Sequence, residues 1–466
     1  MKYIHLLIAI AFISLAARLE AQSYTMPAED LPHEGTWLQW PQPYLYGAAY
    51  SSSLDTTWIQ MTRALVQSEK VHIIAYNSTE QARITGLLSS FNISLTNVDF
   101  RLFQTDDVWV RDNGPIFVRD SAQNLIIEDW GFNGWGGKFS STQDNAIPTE
   151  VATAISMPAV DLNSVMTIEG GAYMIDGHGV LMACRSSILS QTTNSVRNPG
   201  MSQAQAEAIL APHLGVSKFI WLNGVTGQDI TDMHIDGFVQ FANDSTIVTM
   251  SRSDLQYWLL PDADIDTLYA ATNVSGRPYH FVYVPLTMNN VLTTADSNLG
   301  YQGSYCNYYI ANTVVLVPFY NDPNDSVALR IIQGLHPGRT AIGIDVRNLY
   351  MNGGMVHCVT QQQPVAKATT GINGISPDGG ELVGQNHPNP FAGTSTIDMM
   401  LDKEEWVEIT VYNSLGQQVS TAYSGVMPAG KESISIYADT LAAGVYEYEV
   451  KINGHQPVTR RMVVMK

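Results

Sequence analysis

Three cysteines in 466 residues are too few for a disulfide framework, and their odd number leaves at least one thiol unpaired. Neither a Cys-x-x-Cys nor a His-x-x-x-His pair occurs, so no structural metal site is expected. No cofactor motif stands out either. Basic residues are scarce: 24 Lys and Arg stand against 43 Asp and Glu, a net charge of −19. That balance argues against a nucleic-acid partner and favours cationic ligands only weakly, because most of it belongs to a solvated face. Long apolar runs are confined to the first 21 residues; nothing later approaches the roughly 20 residues of a membrane span. What the chain does have is 45% hydrophobic and 9% aromatic residues, enough for folded cores in more than one domain.

Residues 1 to 21 place Lys2 before the apolar stretch Leu6 to Ala17 and end on the small residue Ala21, the pattern of a secretory signal peptide. The alternative is a buried N-terminal helix. Short apolar runs at Val71–Tyr76, Thr246–Met250 and Thr313–Val317 read as buried strands, and Ser202–Leu210 and Ser326–Gln333 as helices. After Pro364 the composition turns small, polar and Gly-rich, so residues 365–380 read as a linker between a domain over 22–364 and a second over 381–466. In the second, alternation at Trp406–Tyr412, Glu432–Ile436 and Gly444–Val450 predicts a small all-β sandwich.

The run Gly353-Gly354-Met355-Val356-His357-Cys358-Val359-Thr360 carries the candidate nucleophile, Cys358. A thiolate attacks an electrophilic carbon only if something moves protons and something holds the substrate. Trp109-Val110-Arg111-Asp112, Glu169-Gly170-Gly171 and Asp232-Met233-His234-Ile235-Asp236 supply one histidine and several acids for those tasks. Carboxylates around one thiol repel anions and depress thiolate formation unless a cation sits among them. A guanidinium, planar and rich in N–H donors, meets that need. Against this stands the plainer reading of Cys358 as a buried apolar filler and of His234 as structural. Strand alternation would put His234 and Asp236 on one face. Cys184 and Cys306 sit in apolar, strand-like surroundings and read as inert, with a bridge between them left open.

From Met26-Pro27-Ala28-Glu29 to Gln363-Pro364 the chain resembles the agmatine deiminase branch of the guanidine-modifying superfamily, which includes the bacterial peptidylarginine deiminases. The landmarks are Asp106–Pro115, Gly131–Lys138, Glu169-Gly170-Gly171, Arg197-Asn198-Pro199, Ser304–Asn312 and the Cys358 run. The resemblance implies an α/β fold, a five-bladed pentein-type propeller with its site on the axis. It implies Cys358 as nucleophile, His234 as general acid and then base, and Asp112 and Asp236 as holders of the guanidinium. Glu169 would support His234. Trp109 and Trp135, with Asp232 and Met233, would border the substrate, core packing being the alternative for the two tryptophans.

The implied substrate is agmatine, giving N-carbamoylputrescine and ammonia. Export is unexpected for polyamine metabolism and keeps peptidylarginine or free arginine as the alternative substrate. A non-catalytic surface-binding protein is disfavoured, because every catalytic position is filled. The branch's Thr-Asp-Gly-His reads Thr231-Asp232-Met233-His234 here, and Met233 either walls the pocket mouth or turns into the interior. The tail, with Asn386–Phe391, Tyr412–Gly416, Leu441–Tyr446 and Arg460–Lys466, resembles the sorting domain of type IX secretion substrates. That implies passage through the outer membrane by the type IX machinery, with cleavage and surface anchoring often following. Nothing in the chain sets an oligomeric state.

Overall fold

A computed structural model describes residues 23–192, 195–366, 382–383, 385–401, 403–413, 417–452 and 458–465. The expected signal peptide at 1–21 and all but the first two residues of the expected linker lie outside them. The chain forms two compact units divided between Lys367 and Ala368. Among the described residues no helix is long and apolar enough to cross a membrane.

In the first unit one connectivity recurs in five sheets. Each has an antiparallel strand pair followed by a strand parallel to the middle one, reached through a helical crossover. The pattern runs Ile116–Arg119, Leu125–Gly131 and Ala159–Thr167; then Tyr173–Ile175, Val180–Cys184 and Lys218–Leu222. It continues with Val239–Asn243, Thr246–Thr249 and His280–Tyr283, then Tyr309–Ile310, Val314–Phe319 and Thr340–Asp345. The fifth sheet joins the chain ends. Gln361–Pro364 lies antiparallel to His33–Gln39, which continues in parallel to Lys70–Ala75 and Val98–Leu102. Parallel strands covered on both faces read as continuous apolar runs, which is why Val314-Val315-Leu316-Val317 is buried throughout.

The expected helices extend somewhat further, over Gln203–Leu214 and Asp325–Leu335. Ser202 and Gln205 close the start of the former in a reciprocal capping box, and Gly215 ends it at φ 69°. Aromatic side chains fill the interior: Trp37, Trp58, Tyr305, Tyr308 and Tyr309 are fully buried.

The second unit is all-β. Leu382–Val383, Thr394–Leu401 and Gly430–Tyr437 form one antiparallel sheet; Gln418–Met427, Glu405–Asn413, Gly444–Ile452 and Val458–Val464 form another. Phe391, Ile397, Val407, Ile409, Val411, Tyr448 and Met462 share one apolar core.

One expectation is corrected, and one open alternative is decided. His234 and Asp236 are not on a strand: His234 precedes a 3-10 turn over Ile235–Gly237, and the strand begins only at Val239. A period of two cannot separate a strand from a turn that brings the same side chains together. Cys184 and Cys306 are both free and buried, so no bridge joins them.

Candidate active site

The recurring sheets explain why residues scattered over the sequence meet. Asp112 lies just before the strand Ile116–Arg119, Glu169 before Tyr173–Ile175, and His234 and Asp236 before Val239–Asn243. Asn307 precedes Tyr309–Ile310, and Cys358 precedes Gln361–Pro364. Each of the five sheets thus delivers a polar residue from the loop that enters its first strand.

Cys358 is half-buried in a 3-10 turn over His357–Val359. Its Sγ is 3.7 Å from Asp236 Oδ2 and accepts from Asn307 Nδ2 at 3.3 Å. Asn307 also donates to the Asp236 carbonyl at 3.1 Å and accepts from the His357 backbone N–H at 3.0 Å, tying the thiol's loop to that of Asp236. His234 lies between two carboxylates: Nδ1 is 3.6 Å from Asp112 Oδ1, and Nε2 is 3.3 Å from Glu169 Oε2. Asp112 accepts from Trp135 Nε1 at 2.9 Å and from the Gly171 N–H at 3.2 Å.

The glycines are there for room. A β-carbon on Gly171 would lie 2.7 Å from both Asp112 Oδ1 and His234 Nδ1, and one on Gly354 would lie 2.2 Å from the Trp109 ring.

Burial and like charge set the electrostatics. Burial pushes Asp112 up to about 6, with Asp236 and Glu169 adding to the rise and His234 opposing it. Burial also works against ionisation of Glu169 and Asp236, yet both end below the usual carboxylate range, Glu169 through Arg197 and His234, Asp236 chiefly through His357. His234 is held up at about 9, because its two carboxylates outweigh the burial that would lower it. Burial, then Asp236 and Asp112, push the Cys358 thiol well above its ordinary value. The site therefore holds a neutral thiol on Cys358 and an imidazolium on His234, and a cation arriving between Asp112 and Asp236 would remove the charge that opposes the thiolate.

Of the residues singled out in the sequence, Cys358, His234, Asp112, Asp236, Glu169 and Trp135 come together. Trp109 is buried against Gly354. Asp232 is taken up elsewhere, paired with Arg197 Nη1 at 2.8 Å and Lys138 Nζ at 2.7 Å and bonded to Ser195. Met233 is 3% exposed within the apolar core, its backbone at φ 73°. Asn307, Arg197, His357 and Glu29 belong to the site and carried no assignment in the sequence, although all four lie inside the landmark motifs. Among the described residues no group of His, Cys, Asp and Glu is arranged to hold a metal ion.

Residues 25–364 match the family model for Porphyromonas-type peptidyl-arginine deiminase. The chain belongs to that family. Its members hydrolyse guanidine groups, and the chain is an enzyme of this iminohydrolase kind. A Streptomyces coelicolor protein provisionally named agmatine deiminase is 33% identical over 73% of this chain and 99% of its own. A solved structure from Porphyromonas gingivalis, titled provisionally as an arginine deiminase, is 30% identical with a TM-score of 0.63, covering 73% of this chain and 98% of that one. The agmatine deiminase of Enterococcus faecalis, 23% identical at a TM-score of 0.63 over 73% of this chain and 96% of its own, shares the α/β fold. Residues 386–465 match the secretion system C-terminal sorting domain, which supports export of this family member.

Proposed function

We propose that this deiminase acts on agmatine, yielding N-carbamoylputrescine and ammonia. The observation that carries the reading is the convergence of five loops on one thiol, with His234 held between two carboxylates and Asp236 beside the sulfur. Acidic groups in a buried site need a cation, and a guanidinium offers N–H donors in one plane to Asp112 and Asp236. The five sheets act as the blades of a five-bladed propeller whose entry loops build the site on the axis.

With the guanidinium seated beside it, the Cys358 thiol loses its proton to solvent, and the thiolate attacks the guanidinium carbon to form a C–S bond. His234 gives its proton to the leaving nitrogen, and ammonia departs to leave an S-alkylthiouronium. His234, now neutral, takes a proton from water as that water attacks the same carbon. The C–S bond breaks, and the ureido product leaves with the thiol restored. Glu169, ionised against Arg197, keeps the His234 imidazole charged and oriented. Asn307 holds the sulfur. Trp135 fixes Asp112 by its indole N–H. No step requires a cofactor.

The domain plan is a signal peptide over 1–21, the deiminase over 22–364, a linker over 365–380 and a sorting domain over 381–466 that hands the enzyme to the type IX machinery. Peptidyl or free arginine is the second reading, favoured by the sorting domain and by the likeness to the Porphyromonas gingivalis structure. Comparing kcat/KM for ureido product from agmatine, free arginine and an arginine-containing peptide tests the choice. Agmatine should lead by at least about tenfold, a gap of about 1.4 kcal/mol in transition-state binding. A lead for the peptide overturns agmatine in favour of peptidylarginine.

A further inference from the structure

His357, next to the nucleophile in the chain, is 1% exposed and has both ring nitrogens on carboxylates. Nδ1 is 2.8 Å from Asp236 Oδ2, the oxygen that the Cys358 sulfur faces, and Nε2 is 2.9 Å from Glu29 Oε2. A neutral imidazole has one N–H and can donate to only one of these acceptors; an imidazolium donates to both. Glu29 is itself held by two other segments of the chain. Its Oε1 accepts from the Ile310 N–H at 2.9 Å, and its Oε2 lies 3.4 Å from Arg111 Nη2. Arg111 Nε in turn donates to the His357 carbonyl at 3.3 Å. Glu29, Arg111, His357 and Gln240 line a cavity of about 30 Å³ that includes none of Cys358, His234 or Asp112.

The geometry points to Glu29 and His357 as a positioning pair for the deimination: Glu29 keeps a proton on His357, and the charged ring keeps Asp236 ionised and aimed at the guanidinium. Neither residue touches the reacting atoms. The inference rests on the deiminase reading only for its kinetic consequence. Asp236 is faced by His357, His234 and Arg111 as cations and by Asp112 as a group that opposes its charge, while the neutral Cys358 thiol donates towards it. His357 is faced by Asp236, Glu29 and Arg111. Glu29 resists burial and falls to about 2 through the His357 charge and hydrogen bond, then Arg111. Burial and Arg111 oppose the proton on His357, but the two carboxylates raise it above the ordinary histidine value.

The test is Glu29→Gln in the full chain. A glutamine amide can donate to His357 Nε2, which then needs no proton, so contact is kept while charge is lost. Nitrogen NMR of the imidazoles, recorded near pH 7 in a Cys358→Ser background, should show both His357 nitrogens protonated with Glu29 present and only one with Gln. In the active enzyme the variant should raise KM for agmatine about tenfold with kcat changed less than about threefold. The acid limb of kcat/KM should move up by about one unit and steepen towards two protons, as Asp236 joins Asp112 in titrating. A neutral His357 in the parent chain, or a loss of kcat with the limb unmoved, overturns the pairing. If Glu29→Gln does not fold, His357→Asn, whose amide can still reach Asp236, should move the limb in the same direction; an unmoved limb there also overturns the pairing. The nitrogen signal needs no turnover, so its failure is distinguishable from failure of the deiminase reading.

Discussion

Arg197 clasps Glu169 with its Nε 2.7 and 2.8 Å from the two carboxylate oxygens, and the same carboxylate reaches His234 at 3.3 Å. Both partners are buried, so the pair avoids a large desolvation penalty only while intact. The guanidinium also binds Asp232 and the Thr231 carbonyl, tying the loop that carries His234 to the one that carries Glu169. Arg197→Met should therefore cost about 3 kcal/mol of stability by stranding two buried carboxylates. It should also lower kcat at least tenfold, because Glu169 would no longer hold His234 as an ion. Thermal unfolding and steady-state kinetics on the same preparation check both.

The pH profile of kcat/KM should change slope near 6 and near 9, on top of the rise with pH that ionisation of the Cys358 thiol imposes. The acid limb belongs to Asp112, raised by burial to about 6, which must be ionised to hold the guanidinium. The basic limb belongs to His234, raised to about 9, which must carry the proton for the leaving nitrogen. The linkage to stability has a definite sign. His234 holds its proton more tightly folded than unfolded, so its contribution is complete below the unfolded value near 6.5 and is lost as pH rises through about 9. Unfolding free energy measured between pH 6 and 10 should fall over that window, and His234→Gln should flatten the fall.

Gly171→Ala should abolish activity while leaving the fold. The added carbon would meet Asp112 and His234 at 2.7 Å and Asp236 at 3.1 Å, displacing three functional groups at once. A loss of at least about 100-fold in kcat/KM with an unchanged circular dichroism spectrum is expected. Gly86→Ala is the control. Gly86 lies in the helix Ser78–Ser90 with nothing within 4 Å, and alanine there should add about 1 kcal/mol of stability without touching turnover.

Met233→Gly should leave the ranking of guanidine substrates unchanged within about threefold. The side chain is buried in the apolar core, so the departure from glycine at this position concerns packing. Glycine would relieve a left-handed backbone at φ 73°, worth about 1–2 kcal/mol, but would forfeit a buried methionine worth about 2–5. The lost packing outweighs the relieved strain, and a net loss of about 2 kcal/mol in denaturant unfolding is expected.

The residues that the structure gathers around Cys358 are legible in the sequence as candidates because each sits in a contiguous motif whose residue types have few other uses together: Cys358 after Gly353-Gly354, Glu169 before two glycines, His234 two before Asp236. The repetition of the sheets is not. Its first strands run from two residues at Tyr309–Ile310 to five at Val239–Asn243, so shared connectivity leaves no fixed sequence period. Asn307, Arg197, His357 and Glu29 are visible as landmarks without roles, because their work depends on distances across loops. Nothing local in Met26-Pro27-Ala28-Glu29 tells that Glu29 lies 2.9 Å from a ring 328 residues further on. Asp232 shows the same dependence: its neighbour in sequence is His234, while its partner in space is Arg197.

The central claim is that Cys358 itself makes the bond to the guanidine carbon. Cys358→Ser changes one atom and little volume, so the fold and substrate binding should survive while ureido product and ammonia from agmatine fall below a few per cent of the parent rate. Product formed by the serine variant at a rate near that of the parent would contradict the account.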